Sequence, residues 1–203
     1  MLSKRNCWSA GRRQKRETFR AGGDGVKATP PTCIVPGDVH WPRLLTERLG
    51  ASPGPAIWAL GNLDLLALPK TALFCSARCP GDAILRAYDQ AAKWRNEGRC
   101  VISGFHSPVE KECLRILLRG PQPIIICPAR ALPKRLPTEW EKSLADGRLL
   151  VLSRFKPTIR RATAELAARR NELIAALADE RWFAHITPGG QMQRLASALA
   201  RRG

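Results

Sequence analysis

Within the stretch CVISGFHSPVE, residues 100–110, the groups able to move a proton are His106 and Glu110. A histidine can act as general acid or base near neutral pH, and a carboxylate beside it could share that work. Each also has a plainer reading. Ser107 followed by Pro108 has the form of a helix N-cap with proline at the first helical position, and Glu110 falls three residues after Ser107, the spacing of a capping box. Ser103 and Gly104 make a small turn that lets an anion approach the backbone closely. No nucleophile with a positioned partner can be read from the sequence. His106 and Glu110 are therefore kept as candidates only, and the stretch is read first as an anion cradle formed by Ser103, Gly104 and Ser107.

Similar chemistry recurs elsewhere. The segment CSARCPG offers Ser76, Arg78 and Gly81; Arg130 follows an apolar run; SRFKPTIRR carries Arg160 and Arg161; TPGG places Gly189 and Gly190 before a helical stretch. Hydroxyls donate to phosphate oxygens, glycine admits close approach, and an arginine fork grips phosphate in two bonds. Any one of these turns is weak evidence, whereas their agreement points to a phosphate-bearing ligand. Arg169 and Arg170 sit mid-helix, where an exposed face or an ion pair with Glu165 or Glu172 would account for them.

The elements that must hold these residues alternate along the chain. Short apolar runs at 71–77, 99–104, 123–129, 149–155 and 181–187 are each followed by a helical stretch, at 81–97, 107–119, 137–146, 158–179 and 190–201. That alternation is the sequence form of a parallel sheet covered by helices. The expected fold is α/β, an open Rossmann-like, mostly parallel sheet of five or slightly more strands with helices on both faces. In such a sheet ligands sit outside the carboxyl ends of the strands, where helix N-termini present free N–H groups. Every turn singled out above falls at such an end. Residues 36–70 read as a lead-in packed on the core, and 71–203 as the main domain. Residues 1–35 read as a disordered basic arm, either touching nucleic acid or a plain extension.

The 203-residue chain carries a net charge of +17, of which residues 1–35 supply six positive charges, so the body is basic without the arm. A polyanionic partner suits that balance. The seven cysteines fall mostly in apolar runs, and reduced buried thiols in a cytoplasmic protein are expected. Cys75 and Cys79 lack a second pair at zinc-like spacing, so neither metal nor cofactor is expected. No apolar stretch is long enough for a membrane span.

CSARCPG, VISGFHSPVE and RRNELIAAL occur in the order of signature stretches of the DNA-processing protein A (DprA, also Smf) family, and GDVHWPRLL with ALGNLDLL resembles the segment preceding that family's Rossmann-like domain. The resemblance implies a protein that binds single-stranded DNA in DNA processing or recombination, with a recombinase partner and a homodimer as further expectations. It places the family's Gly-Ser-Arg loop on Ser76 and Arg78, its Ser-Gly turn on Ser103 and Gly104, and its Arg-Asn pair on Arg170 and Asn171. The wider superfamily includes phosphoribohydrolases with a Pro-Gly-Gly turn, here Pro188, Gly189 and Gly190. A sensor of a small nucleotide, or an enzyme acting on one, is the alternative.

Overall fold

The structure is a computed structural model that describes residues 30–49 and 56–201. Its elements are β1 (Thr32–Ile34), α1 (Arg43–Leu49), β2 (Ile57–Gly61), a 3-10 turn (Leu63–Ala67), β3 (Lys70–Cys75), α2 (Gly81–Asn96), β4 (Cys100–Ser103), α3 (Pro108–Leu118), β5 (Ile124–Ile126), α4 (Thr138–Ala145), β6 (Leu149–Ser153), α5 (Ala164–Leu177), β7 (Glu180–His185) and α6 (Gln191–Ala200). The arm expected over 1–35 lies outside the described residues as far as residue 29. Its last part enters the sheet as β1.

The seven strands are ordered β1-β2-β6-β5-β4-β3-β7. From β6 to β7 all neighbours are parallel, while β2 runs antiparallel to β6 and β1 antiparallel to β2. The central strands are buried on both faces, which is why their sequences are unbroken apolar runs such as Ile124–Ile126 and Leu149–Leu152. Alternate residues feed two cores. Leu73, Val101, Ile124 and Ile126 pack with Ala87, Val109 and Leu117 of α2 and α3. Ala72, Phe74, Ile102, Ile125 and Leu150 pack with Leu45, Leu173, Ile174 and Leu195 of α1, α5 and α6.

The chain steps from β3 through β6 in one direction and then returns past β3 to add β7. Right-handed crossovers therefore place α2 and α3 on one face and α5 on the other. The reversal makes the junction of β3 and β7 the topological switch point, where a ligand-binding crevice forms in open α/β sheets.

Three further features differ from the sequence reading. The 36–70 segment supplies β2, which lies within the sheet between β1 and β6. Ile57, Trp58, Ala59 and Leu60 are all buried, and an apolar run this short has no periodicity to separate strand from helix. α5 begins at Ala164 rather than near 158, capped by the Thr163 hydroxyl, which accepts from Leu166 N. Arg160 and Arg161 consequently lie in a loop and not on a helix start. Cys75, Cys79, Cys100, Cys113 and Cys127 are free thiols, as expected, whereas Cys33 is disulfide-bonded.

Candidate nucleic-acid interface

At the switch point the loops after β3 and β7 are fastened together. Ser76 N donates to the His185 carbonyl at 3.1 Å, Thr187 N donates to Ser76 Oγ at 2.9 Å, and Thr187 Oγ1 donates to the Arg78 carbonyl at 3.2 Å. Ser76 is buried by this fastening, while Arg78 and Gly81 stand exposed. The crevice is thereby closed into a surface. The helices leaving it, α2 and α6, both start without a side-chain cap. In α2 the first helical bond is Ile84 N to the Pro80 carbonyl, and in α6 it is Arg194 N to the Gly190 carbonyl. The amides of Gly81, Asp82 and Ala83, and of Gln191, Met192 and Gln193, have no intrahelical acceptor, and the positive ends of both dipoles meet at the switch point. Gly189, at φ 69°, turns the chain into α6 in a conformation that glycine adopts without strain.

The next loop, after β4, is built differently. Glu110 is 6% exposed; its Oε1 accepts from Cys75 N at 3.0 Å, and its Oε2 accepts from His106 N at 2.8 Å and Ser107 N at 3.1 Å. Ser107 Oγ accepts from Glu110 N at 3.2 Å and completes the capping box. The anion seat at the start of α3 is thus filled by the protein's own carboxylate, which also ties β3 to the β4 loop. Glu110 serves here as a structural acceptor, and Ser107 is the cap. His106 is exposed, and its ring forms no hydrogen bond among the described residues.

Beneath that loop lies Arg170, 5% exposed, with Nη1 donating to the Cys127 carbonyl at 3.2 Å and Nε without a partner. Burial pushes its guanidinium below the ordinary value, and the nearby Glu110 carboxylate opposes that shift. A Cβ on Gly104 would run into the Arg170 guanidinium, so a larger residue there would have to displace the arginine beneath it. Ser103, fully buried, accepts on Oγ from Phe105 N at 3.2 Å and supports Phe105 at φ 45°, an uncommon conformation for a bulky residue. Arg170 reaches the turn from inside the protein. Asn171, also buried, lines a cavity among α1, α5 and α6 instead.

The remaining cations gather beyond β5 and β6. Ser153 Oγ donates to the Arg130 carbonyl at 2.7 Å, and Ala131 N donates to the Ile159 carbonyl at 2.8 Å, so the loops after β5 and β6 are stitched into one rim. That rim carries Arg130, Arg160 and Arg161, all exposed, together with Lys134, Arg135 and Lys156. The run PARALPKR was the available signal for Lys134 and Arg135, which the sequence reading passed over. Arg154 instead donates to the Arg169 carbonyl at 2.9 Å and pairs with Glu172 at 3.9 Å. Among the described residues no group of His, Cys, Asp or Glu is arranged to hold a metal ion. No described helix is long and apolar enough to cross a membrane.

A mostly parallel sheet with helices wound on both faces is a Rossmann-like α/β fold, and known proteins share it. The sequence profile of the family described as DNA recombination-mediator protein A matches residues 32–183, and the chain belongs to that family. DNA processing protein A from Streptococcus pneumoniae shares the fold at a TM-score of 0.71 and 20% identity, over 86% of this chain and 61% of that one. The chain thus spans about three fifths of that relative's length. DNA processing protein A from Helicobacter pylori, whose structure is described as showing a single-stranded DNA binding mode, superposes at 0.66 with 16% identity, over 85% of this chain and 77% of that one. No curated protein matches the sequence.

Proposed function

We propose that this protein binds single-stranded DNA along the carboxyl edge of its sheet, in DNA processing or recombination. The observation that carries the reading is the pair of uncapped helix starts, α2 and α6, meeting beside Arg78 at the switch point. One phosphate sits there, on the amides of α2 and the Arg78 fork, with Ser76, Gly81, Gly189 and Gly190 shaping the turns around it. The strand then crosses the Ser103–Gly104 turn to the rim of Arg130, Arg160 and Arg161. From β3 to β6 is three strand spacings, about 14 Å, which an extended strand covers in a few nucleotides. Arg170 acts from below by fixing the turn. A fastened, open edge suits a strand better than an enclosed small molecule, and Glu110, held by three backbone amides, is not free for proton transfer.

A recombinase partner and a homodimer accompany this reading; co-sedimentation with a recombinase tests the first, and the sedimentation mass of the chain alone tests the second. The main test is a fluorescence titration with single-stranded DNA, double-stranded DNA and nucleoside monophosphates at two salt concentrations. Single strands should bind tightest, with steep salt dependence. Arg78→Ala should weaken that binding by about 1–3 kcal/mol, the cost of a charged hydrogen bond, in a protein that unfolds normally. Unchanged affinity in the folded variant would remove the switch point from the interface.

A further inference from the structure

The cavity among α1, α5 and α6 has a volume of about 940 Å³, within the range of small-molecule sites. None of the loops carrying Ser76, Arg78, Ser103 or Gly104 lines it. Its floor is one stripe of α5, Ala168, Asn171 and Ala175, and Leu195 and Leu199 of α6 form a wall. Asn171 is 4% exposed, and its carboxamide takes part in no hydrogen bond among the described residues. The residue lines the cavity and its amide group meets the solvent there, which leaves two donors and an acceptor available to a ligand.

A second observation lies at the C-terminal end of α5. Arg48 Nη1 donates to the carbonyls of Ala176, at 3.1 Å, and Ala178, and Arg181 Nε donates to the Ala175 carbonyl at 3.1 Å. Both guanidiniums line the cavity, and neither pairs with a carboxylate among the described residues, so each is held by backbone with fork donors to spare. Burial, with Arg48 nearby, holds Arg181 below its ordinary value, as expected of two cations side by side. Asn171 lies four and five residues before the Ala175 and Ala176 carbonyls, or about 6–8 Å along the helix.

We infer that this cavity is a site for a purine nucleoside monophosphate, separate from the DNA surface: Asn171 pairs with the donor–acceptor edge of the base, Ala168 and Ala175 leave room for the ring, and Arg48 with Arg181 holds the phosphate. A carboxamide matches adenine, which presents an amino donor beside a ring-nitrogen acceptor. Glu47, Glu165 and Glu172 stand exposed on the rim and disfavour further phosphates, so a monophosphate is preferred to a triphosphate.

Calorimetric titration of the full chain with AMP, adenosine, ATP and inorganic phosphate tests this. AMP should bind at least tenfold more tightly than adenosine, phosphate or ATP. Asn171→Ala should lower AMP affinity at least tenfold. Ala168→Trp, which fills the cavity from a half-buried position, should abolish AMP binding while single-stranded DNA affinity stays within twofold, and it decides the matter if the Asn171 variant does not fold. Absence of AMP binding at millimolar concentration would overturn the inference. So would AMP binding that survives Ala168→Trp, or AMP displaced competitively by single-stranded DNA. None of these results bears on whether DNA binds the carboxyl edge.

Discussion

Replacing Glu110 by alanine removes the acceptor for three backbone amides at once, those of Cys75, His106 and Ser107. Cys75 N lies at the end of a fully buried strand, where water cannot replace the carboxylate, and an unsatisfied buried donor costs about 1–3 kcal/mol. The His106 amide is part-buried and rehydrates in part, and it and the buried Ser107 amide add about 1 kcal/mol each. Arg170 also loses its nearest opposing charge. The expected total is about 3–5 kcal/mol, a large part of the stability of a domain of this size. Glu110→Gln keeps one acceptor oxygen and should cost about half as much. Urea unfolding followed by tryptophan fluorescence measures both, with the midpoint shift read at constant slope. A loss below about 1 kcal/mol for Glu110→Ala would refute the view that this carboxylate holds the carboxyl edge together, and would return it to the list of catalytic candidates.

Gly104→Ala sets a methyl against the Arg170 guanidinium and should destabilise the fold by about 1–3 kcal/mol, with most of that cost absent when Arg170 is already alanine; additive losses in a double-mutant cycle would contradict the contact. Arg160→Ala with Arg161→Ala should flatten the dependence of log affinity on log salt by about 1.4 for single-stranded DNA, leaving the unfolding midpoint alone because both lie in an exposed loop; an unchanged slope takes the rim out of the interface. Burial pushes the Cys100, Cys113 and Cys127 thiols up to about 12. The unfolded chain ionises first, near 8.5, so the stability these thiols contribute is complete below that pH and drains away as pH rises toward 12. Unfolding midpoints should fall between pH 8 and pH 10, and a flat profile would be inconsistent with buried neutral thiols.

The five parallel strands and their helices were legible because burial on both faces leaves unbroken apolar runs, such as ALFC and LLVL, and each of these is followed by a helical stretch. The capping box of Ser107 and Glu110 was legible too, since it is a local device whose parts stand three residues apart. β2 was not, because four apolar residues look the same in a strand and in a buried helix turn, and pairing with β6 across a long separation decides between them.

The sequence by itself determined which residue types could meet a phosphate and that they end strands. It could not say which of those ends lie side by side. Strand order set by the return of β7 past β3 brings Ser76 to Thr187 and leaves the α2 and α6 starts open together, while the Arg130 and Arg160 loops join at a distance. Tertiary structure alone also separated the neighbours Arg170 and Asn171. Adjacent helical residues point about 100° apart, so one side chain runs beneath Gly104 and the other enters the α1–α5–α6 cavity. Sequence adjacency carries no information about which packed surface each will face, because that depends on elements distant in sequence, the Gly104 loop for Arg170 and α1 for Asn171.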